Sequence, residues 1–192
     1  MRGTENRTEV HSPSQEFTVA ELSAMVLDGD LAQIYGETFR SVVTQDSPVV
    51  RAAALAAQIP AALAGRVAFG WLSAAWIYGC APPPQIITLL ASRSRRCTAL
   101  PAGSGCVLHE VKLSPYELTQ VGGIMVTGAL RTAMDVASNE LASVAVPVLD
   151  AISAAPSLGC PLGRIRAALE TPTHQKGRTN ALALVKAMLS AG

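Results

Sequence analysis

The residues richest in chemistry lie between Arg93 and Lys112. Arg93, Arg95 and Arg96 form the densest basic cluster in the chain. Guanidiniums at a loop tip can grip phosphate oxygens, which holds a protein on a nucleic-acid backbone without reading sequence. The same three residues also suit a plain soluble hairpin tip. Further on, His109-Glu110-Val111-Lys112 contains E-x-K. On a strand that spacing puts carboxylate and ammonium on one face, as metal-dependent nucleases of the restriction-enzyme type require, together with a second acid from the preceding strand. No Asp or Glu occurs between Asp46 and Glu110, so the set is incomplete, and a half-exposed strand with one polar face explains it as well. Cys97, Cys106 and His109 lack the C-x2-C pairing of a zinc site. His11, His109 and His174 are scattered, and neither a Gly-x-Ser-x-Gly nor a phosphate-loop pattern occurs. A second basic set, His174, Lys176 and Arg178, reads as a solvated loop. No catalytic residue, metal or cofactor is expected.

Composition bounds what can carry such residues. The 192 residues suit one medium domain, or a large domain with a small appendage. Net charge is +1, so no global field draws in nucleic acid and any basic patch must be local. Residues 1–16 are polar and lack the apolar core of a signal peptide, which points to the cytoplasm. Arg66 to Arg93 encloses no charge, but Gly70, Gly79 and Pro82-Pro83-Pro84 interrupt it, so no membrane span is expected. The four cysteines then read as free thiols.

In chain order, residues 1–16 read as a mobile tail. Thr18 and Glu21 make a capping box for a helix through Leu22, Met25 and Val26 that stops at Asp28-Gly29. Leu31 to Val43 follows as a hairpin around Tyr35-Gly36-Glu37. Helix, tight turn and ribbon resemble the last helix and wing of a winged-helix domain, truncated and confined to residues 17–45. Residues 18–29 contain no Arg, Lys, Asn or Gln to offer base edges, and Arg40 is the ribbon's only basic residue.

Residues 46–192 read as an α+β domain. Ser47 caps a helix with Pro48 at its first position, ended by Pro60. A short strand at 66–69 precedes a buried helix from Trp71 to Tyr78, closed by Gly79. Trp71 and Trp76 read as core, because a stacking platform for bases needs basic neighbours and none is adjacent in sequence. Gln85–Ala91 is a strand, 92–105 a loop, and Cys106–Leu113 the returning strand. Ser114 and Glu117 form a second capping box. Val121 and Ile124-Met125-Val126 flank Gly122-Gly123 as a small antiparallel hairpin. Thr127 is positioned to cap the next helix, with Arg131 and Asp135 four apart on its outer side. C-terminal helices follow: one capped by Ser143, with Pro147 tolerated in its first turn, one opened by Pro161, and one over 179–189.

Three stretches taken together, FTVAELSAMVLDGDLAQIYGETF, WLSAAWIYG and VLHEVKLSPYELTQVGGIMVTGALRTAMDVA, resemble the AbiE-type, or type IV, antitoxins and related bacterial winged-helix transcriptional regulators. The likeness covers residues 17–139. It implies a degenerate winged-helix element before a mixed α+β domain, and a non-enzymatic repressor that binds DNA. The partner it implies is a nucleotidyltransferase-like toxin. The DNA contacts expected are Arg40, Arg93, Arg95 and Arg96. The alternative is a protein-interaction module without DNA binding, docking through its C-terminal helices. No feature of the sequence sets an oligomeric state.

Overall fold

The computed structural model describes residues 10–14, 16–92, 100–101, 103–171 and 177–191. The chain is α+β, built on a three-stranded and a five-stranded sheet. Strand β1 (Val10–His11), helix α1 (Val19–Leu27) and strands β2 (Leu31–Tyr35) and β3 (Thr38–Ser41) form an N-terminal unit. Its antiparallel sheet has the order β1-β3-β2. The capping box forms as expected: Glu21 N–H donates to Thr18 Oγ1 at 3.3 Å, and Thr18 N–H donates to Glu21 Oε2 at 2.8 Å. Val10 and His11, within the stretch expected to be tail, pair instead with Arg40 and Phe39.

Among the described residues the unit's own core is Leu22, Leu31 and Phe39, with Met25 and Val26 packed against them. It is held to the larger domain by polar and aromatic contacts. Gln58 Nε2 donates to Thr38 Oγ1 at 2.8 Å, Tyr35 Oη donates to the Pro84 carbonyl at 2.7 Å, and the Tyr35 and Trp76 rings lie 5.4 Å apart.

The larger domain begins with α2 (Pro48–Ala56), capped by Ser47. Strand β4 (Ala68–Phe69) runs into α3 (Trp71–Ile77), and β5 (Ile87–Ser92) and β6 (Cys106–Val111) follow. The hairpin β7 (Leu118–Val121) and β8 (Ile124–Thr127) completes a mixed sheet of order β6-β5-β4-β8-β7. Gly122 and Gly123 have φ of 58° and 81°, the doubly left-handed turn that a two-residue hairpin demands. Four helices close the chain: α4 (Ala129–Asn139), α5 (Ala142–Ala154), α6 (Leu162–Glu170) and α7 (Arg178–Ala191). They pack on α3 through small and aliphatic side chains, among them Ala75, Ala133, Ala145, Leu149 and Ala181, all fully buried. Small residues let the helix axes approach closely. No single helix among the described residues is long and apolar enough to cross a membrane.

Four local expectations are corrected. β6 does not return antiparallel; it pairs parallel to β5, from Ile87↔Cys106 to Ser92↔Val111. A parallel neighbour needs a crossover of about a dozen residues, and the stretch between Ser92 and Cys106 is long enough. The near-continuous burial of β5 is that of a central strand covered on both faces. Gly128, not Thr127, is the N-cap of α4; Thr127 instead ends β8 with its hydroxyl 2.7 Å from that of Thr132. Leu141, not Ser143, precedes α5, so Pro147 falls inside that helix rather than in its first turn. Asp135 is not on the outer side of α4 but buried at 2 % exposure.

Candidate nucleic-acid interface

The five-stranded sheet has two unlike faces. On one, Phe69, Leu89, Leu108 and Val126 pack with Leu55 of α2 and Trp76 of α3. The strand registers put Ala68, Leu90, His109, Met125 and Leu118 on the other. One end of this second face is covered where β4 turns into α3. A Cβ on Gly70 would come within 2.6 Å of the Leu90 side chain, so a larger residue here would have to displace Leu90. Thr88 N–H donates to Ser73 Oγ at 2.9 Å beneath the crossing. The next residue, Trp71, has φ +51°, a conformation a bulky side chain adopts only when its surroundings impose it. Its ring stacks on His109, centroids 4.4 Å apart and planes 25° from parallel. This pair is invisible in the sequence, because Trp71 and His109 meet only through the β4-β5-β6 pairing.

The other end of the second face is open. A cleft of about 380 Å³ lies there, lined by Arg66, Ala68, Leu90, Ser92, Leu118 and Met125. Arg66 is exposed at its mouth. The lining holds one cation, one hydroxyl and aliphatic walls, with no carboxylate, imidazole or thiol for proton transfer or nucleophilic attack. Its polar character comes from Arg66 and Ser92 alone.

The expected site residues fall in different places. Arg93, Arg95 and Arg96 lie outside the described residues, as do Cys97, His174 and Lys176. Arg40 is half-buried, and its Nη1 donates to the carbonyls of Ser41 and Thr44, which ties down the turn after β3. Arg178 likewise donates to the carbonyls of Leu169 and Glu170, joining α6 to α7. Ala91 faces Glu110 across the β5–β6 ladder, where a nuclease centre would need a carboxylate. Among the described residues no group of three or more His, Cys, Asp or Glu is placed to hold a metal ion.

The R-T-x-x-D segment builds a partly buried ion cluster instead. Arg131 Nε donates to Asp135 Oδ2 and Arg131 Nη1 to Glu117 Oε1, both at 2.8 Å. Burial disfavours the Arg131 cation, yet the charges and hydrogen bonds of Asp135 and Glu117 outweigh it and push its pKa above the ordinary value. This cluster clamps the 3-10 turn Pro115–Glu117 to α4. Arg131 bonds both carboxylates, one on the turn and one on its own helix, so the cluster acts as a structural joint.

Charge separates the two parts of the chain. Residues 16–46 hold six carboxylates, Glu16, Glu21, Asp28, Asp30, Glu37 and Asp46, against the single guanidinium of Arg40, a net charge of −5. Residues 47–192 hold twelve Lys and Arg against six Asp and Glu, a net charge of +6. No protein-family model matches the chain, and no curated protein matches it.

Proposed function

We propose that the protein is a non-enzymatic, antitoxin-like regulator of the cytoplasm that contacts DNA with its larger domain. The charge partition carries this reading. A phosphate backbone is attracted to the +6 domain and repelled by the −5 unit, so the helix-plus-ribbon is a poor DNA reader even if it descends from a winged helix. Arg66 at the open cleft and the sequence cluster Arg93, Arg95 and Arg96 are the proposed phosphate contacts; Arg40 is not. The acidic unit favours a second role, in which it binds a protein such as the toxin the resemblance implies.

The test is fluorescence anisotropy with the chain's own upstream duplex and a scrambled duplex at two salt concentrations. Specific binding that weakens with salt is expected. Arg93→Ala/Arg95→Ala/Arg96→Ala should lower the salt slope by about 2 to 3 units, roughly 0.9 per lost phosphate contact. Arg40→Ala should leave affinity within about twofold, having removed no phosphate contact. Absence of binding to either duplex at moderate salt would sink the DNA reading and leave the interaction module.

A further inference from the structure

One end of the N-terminal unit combines exposed aliphatic side chains with carboxylates that have no partner among the described residues. Leu27, the last residue of α1, is 89 % exposed, and Val42 and Val43, just beyond β3, are 50 % and 88 % exposed. They belong to the same end of the unit, because the turn from α1 into β2 lies against the end of β3: Val42 N–H donates to the Asp30 carbonyl at 3.0 Å. That turn carries Asp28 and Asp30. Both are exposed, and neither side chain forms an ion pair or hydrogen bond among the described residues. The nearest cation in the sequence, Arg40, has its Nη1 occupied by the carbonyls of Ser41 and Thr44.

Scattered single aliphatics on a surface need no explanation, but three close in the fold beside unpaired like charges differ from that background. A protein keeps such an arrangement at a cost. Apolar area stays wet, and two like charges share one turn with no counter-ion side chain among the described residues. Both costs vanish if one partner supplies aliphatic groups and cations together.

We propose that this end of the N-terminal unit docks a basic amphipathic segment of a partner protein. The partner's aliphatic side chains cover Leu27, Val42 and Val43, and its Lys or Arg pair with Asp28 and Asp30. The proposal rests on the protein-binding half of the functional reading and is independent of whether DNA is bound. Charge complementarity selects the occupant. A second copy would bring another unit of net charge −5 against the first, and nucleic acid would be repelled.

The experiment titrates the full chain into a fluorescein-labelled amphipathic Leu/Lys peptide, with a Leu/Glu peptide of the same pattern as control. Sedimentation velocity is run across the same concentration range. Expected is saturable, salt-sensitive binding of the Leu/Lys peptide alone. Leu27→Ser/Val43→Ser and, separately, Asp28→Asn/Asp30→Asn should each weaken it by about tenfold. These residues are exposed, so circular dichroism melts of both variants should match the parent. Failure to bind the Leu/Lys peptide overturns the proposal. Equal binding by parent and variants overturns this surface while leaving a protein partner elsewhere. A concentration-dependent dimer abolished by Leu27→Ser/Val43→Ser would make a second copy the occupant, and would overturn the basic segment.

Discussion

The N-terminal unit and the larger domain solve the same problem with different means. The larger domain has two cores, one of helices and one of sheet and α2, each with a dozen or so buried side chains. The unit before it closes over three, Leu22, Leu31 and Phe39. So small a core cannot offset the conformational entropy of ordering four elements. Its fold must borrow from the junction, through Gln58, Tyr35 and Trp76. The contrast extends to charge, −5 against +6. A unit held by its neighbour is free to carry surface chemistry that would be costly on an independent domain.

The sharpest way to break this comparison is to remove the cation of the larger domain's ion cluster, Arg131. Arg131→Ala would leave Asp135, at 2 % exposure, without its ion pair to Arg131. About 3 to 5 kcal/mol of stability should be lost, read as a fall in the urea midpoint of the whole chain. Arg131→Lys should recover only part, since one ammonium cannot reproduce the two directed bonds to Asp135 and Glu117. A variant within 1 kcal/mol of the parent would show that the cluster is not a joint.

Leu22→Ala tests the other region. Truncating this fully buried residue should cost about 2 to 5 kcal/mol locally. If the unit borrows its stability, that is enough to open it alone. Hydrogen exchange should then rise across β1, α1, β2 and β3 while β5 and α4 stay protected. Equal loss of protection in both regions would mean that they unfold as one cooperative block.

How much of this was legible follows the range of the interactions involved. Both capping boxes, the Gly122-Gly123 turn and the Gly79 helix stop depend on residues a few positions apart, and they stand where the sequence places them. The parallel pairing of β5 and β6 was not legible, because an apolar strand followed by a loop fits either direction. The burial of Asp135 was hidden by the i, i+4 spacing it shares with exposed pairs; Glu117, fourteen positions before Arg131, is what makes the site a joint. Nor did the sequence show that Arg40 Nη1 bonds the carbonyls of Ser41 and Thr44 in the turn that follows. The stack of Trp71 on His109 needed three strands in place before it existed.

A smaller effect comes from Tyr78, at the helix–sheet seam of the larger domain. Its hydroxyl donates to the Thr127 carbonyl at 2.7 Å, and burial pushes its pKa up to about 12 from an ordinary 10. The folded state therefore holds this proton more tightly than the unfolded state. The stabilisation is complete below pH 10 and is lost as the pH rises from 10 to about 12. Tyr78→Phe should cost about 1 kcal/mol near neutrality for the lost hydrogen bond, and should flatten the parent's decline in Tm across that window. Identical alkaline limbs in parent and variant would exclude Tyr78 as the titrating group.

The slightest effect is expected at the capping box, and it has the opposite sign. Hydrogen bonds from the Thr18 backbone and hydroxyl hold Glu21 below its usual carboxylate pKa of 4.5. The cap is therefore intact above pH 4.5 and fails as the pH falls below it. Glu21→Gln should remove that acid dependence from hydrogen exchange in α1 alone, since Gln can still accept the Thr18 N–H without titrating. The larger domain should be unmoved in either direction. A Glu21→Gln effect that reached the exchange of α4 would show the two regions coupled through more than their junction contacts, and the contrast between a borrowed fold and a self-sufficient one would fail.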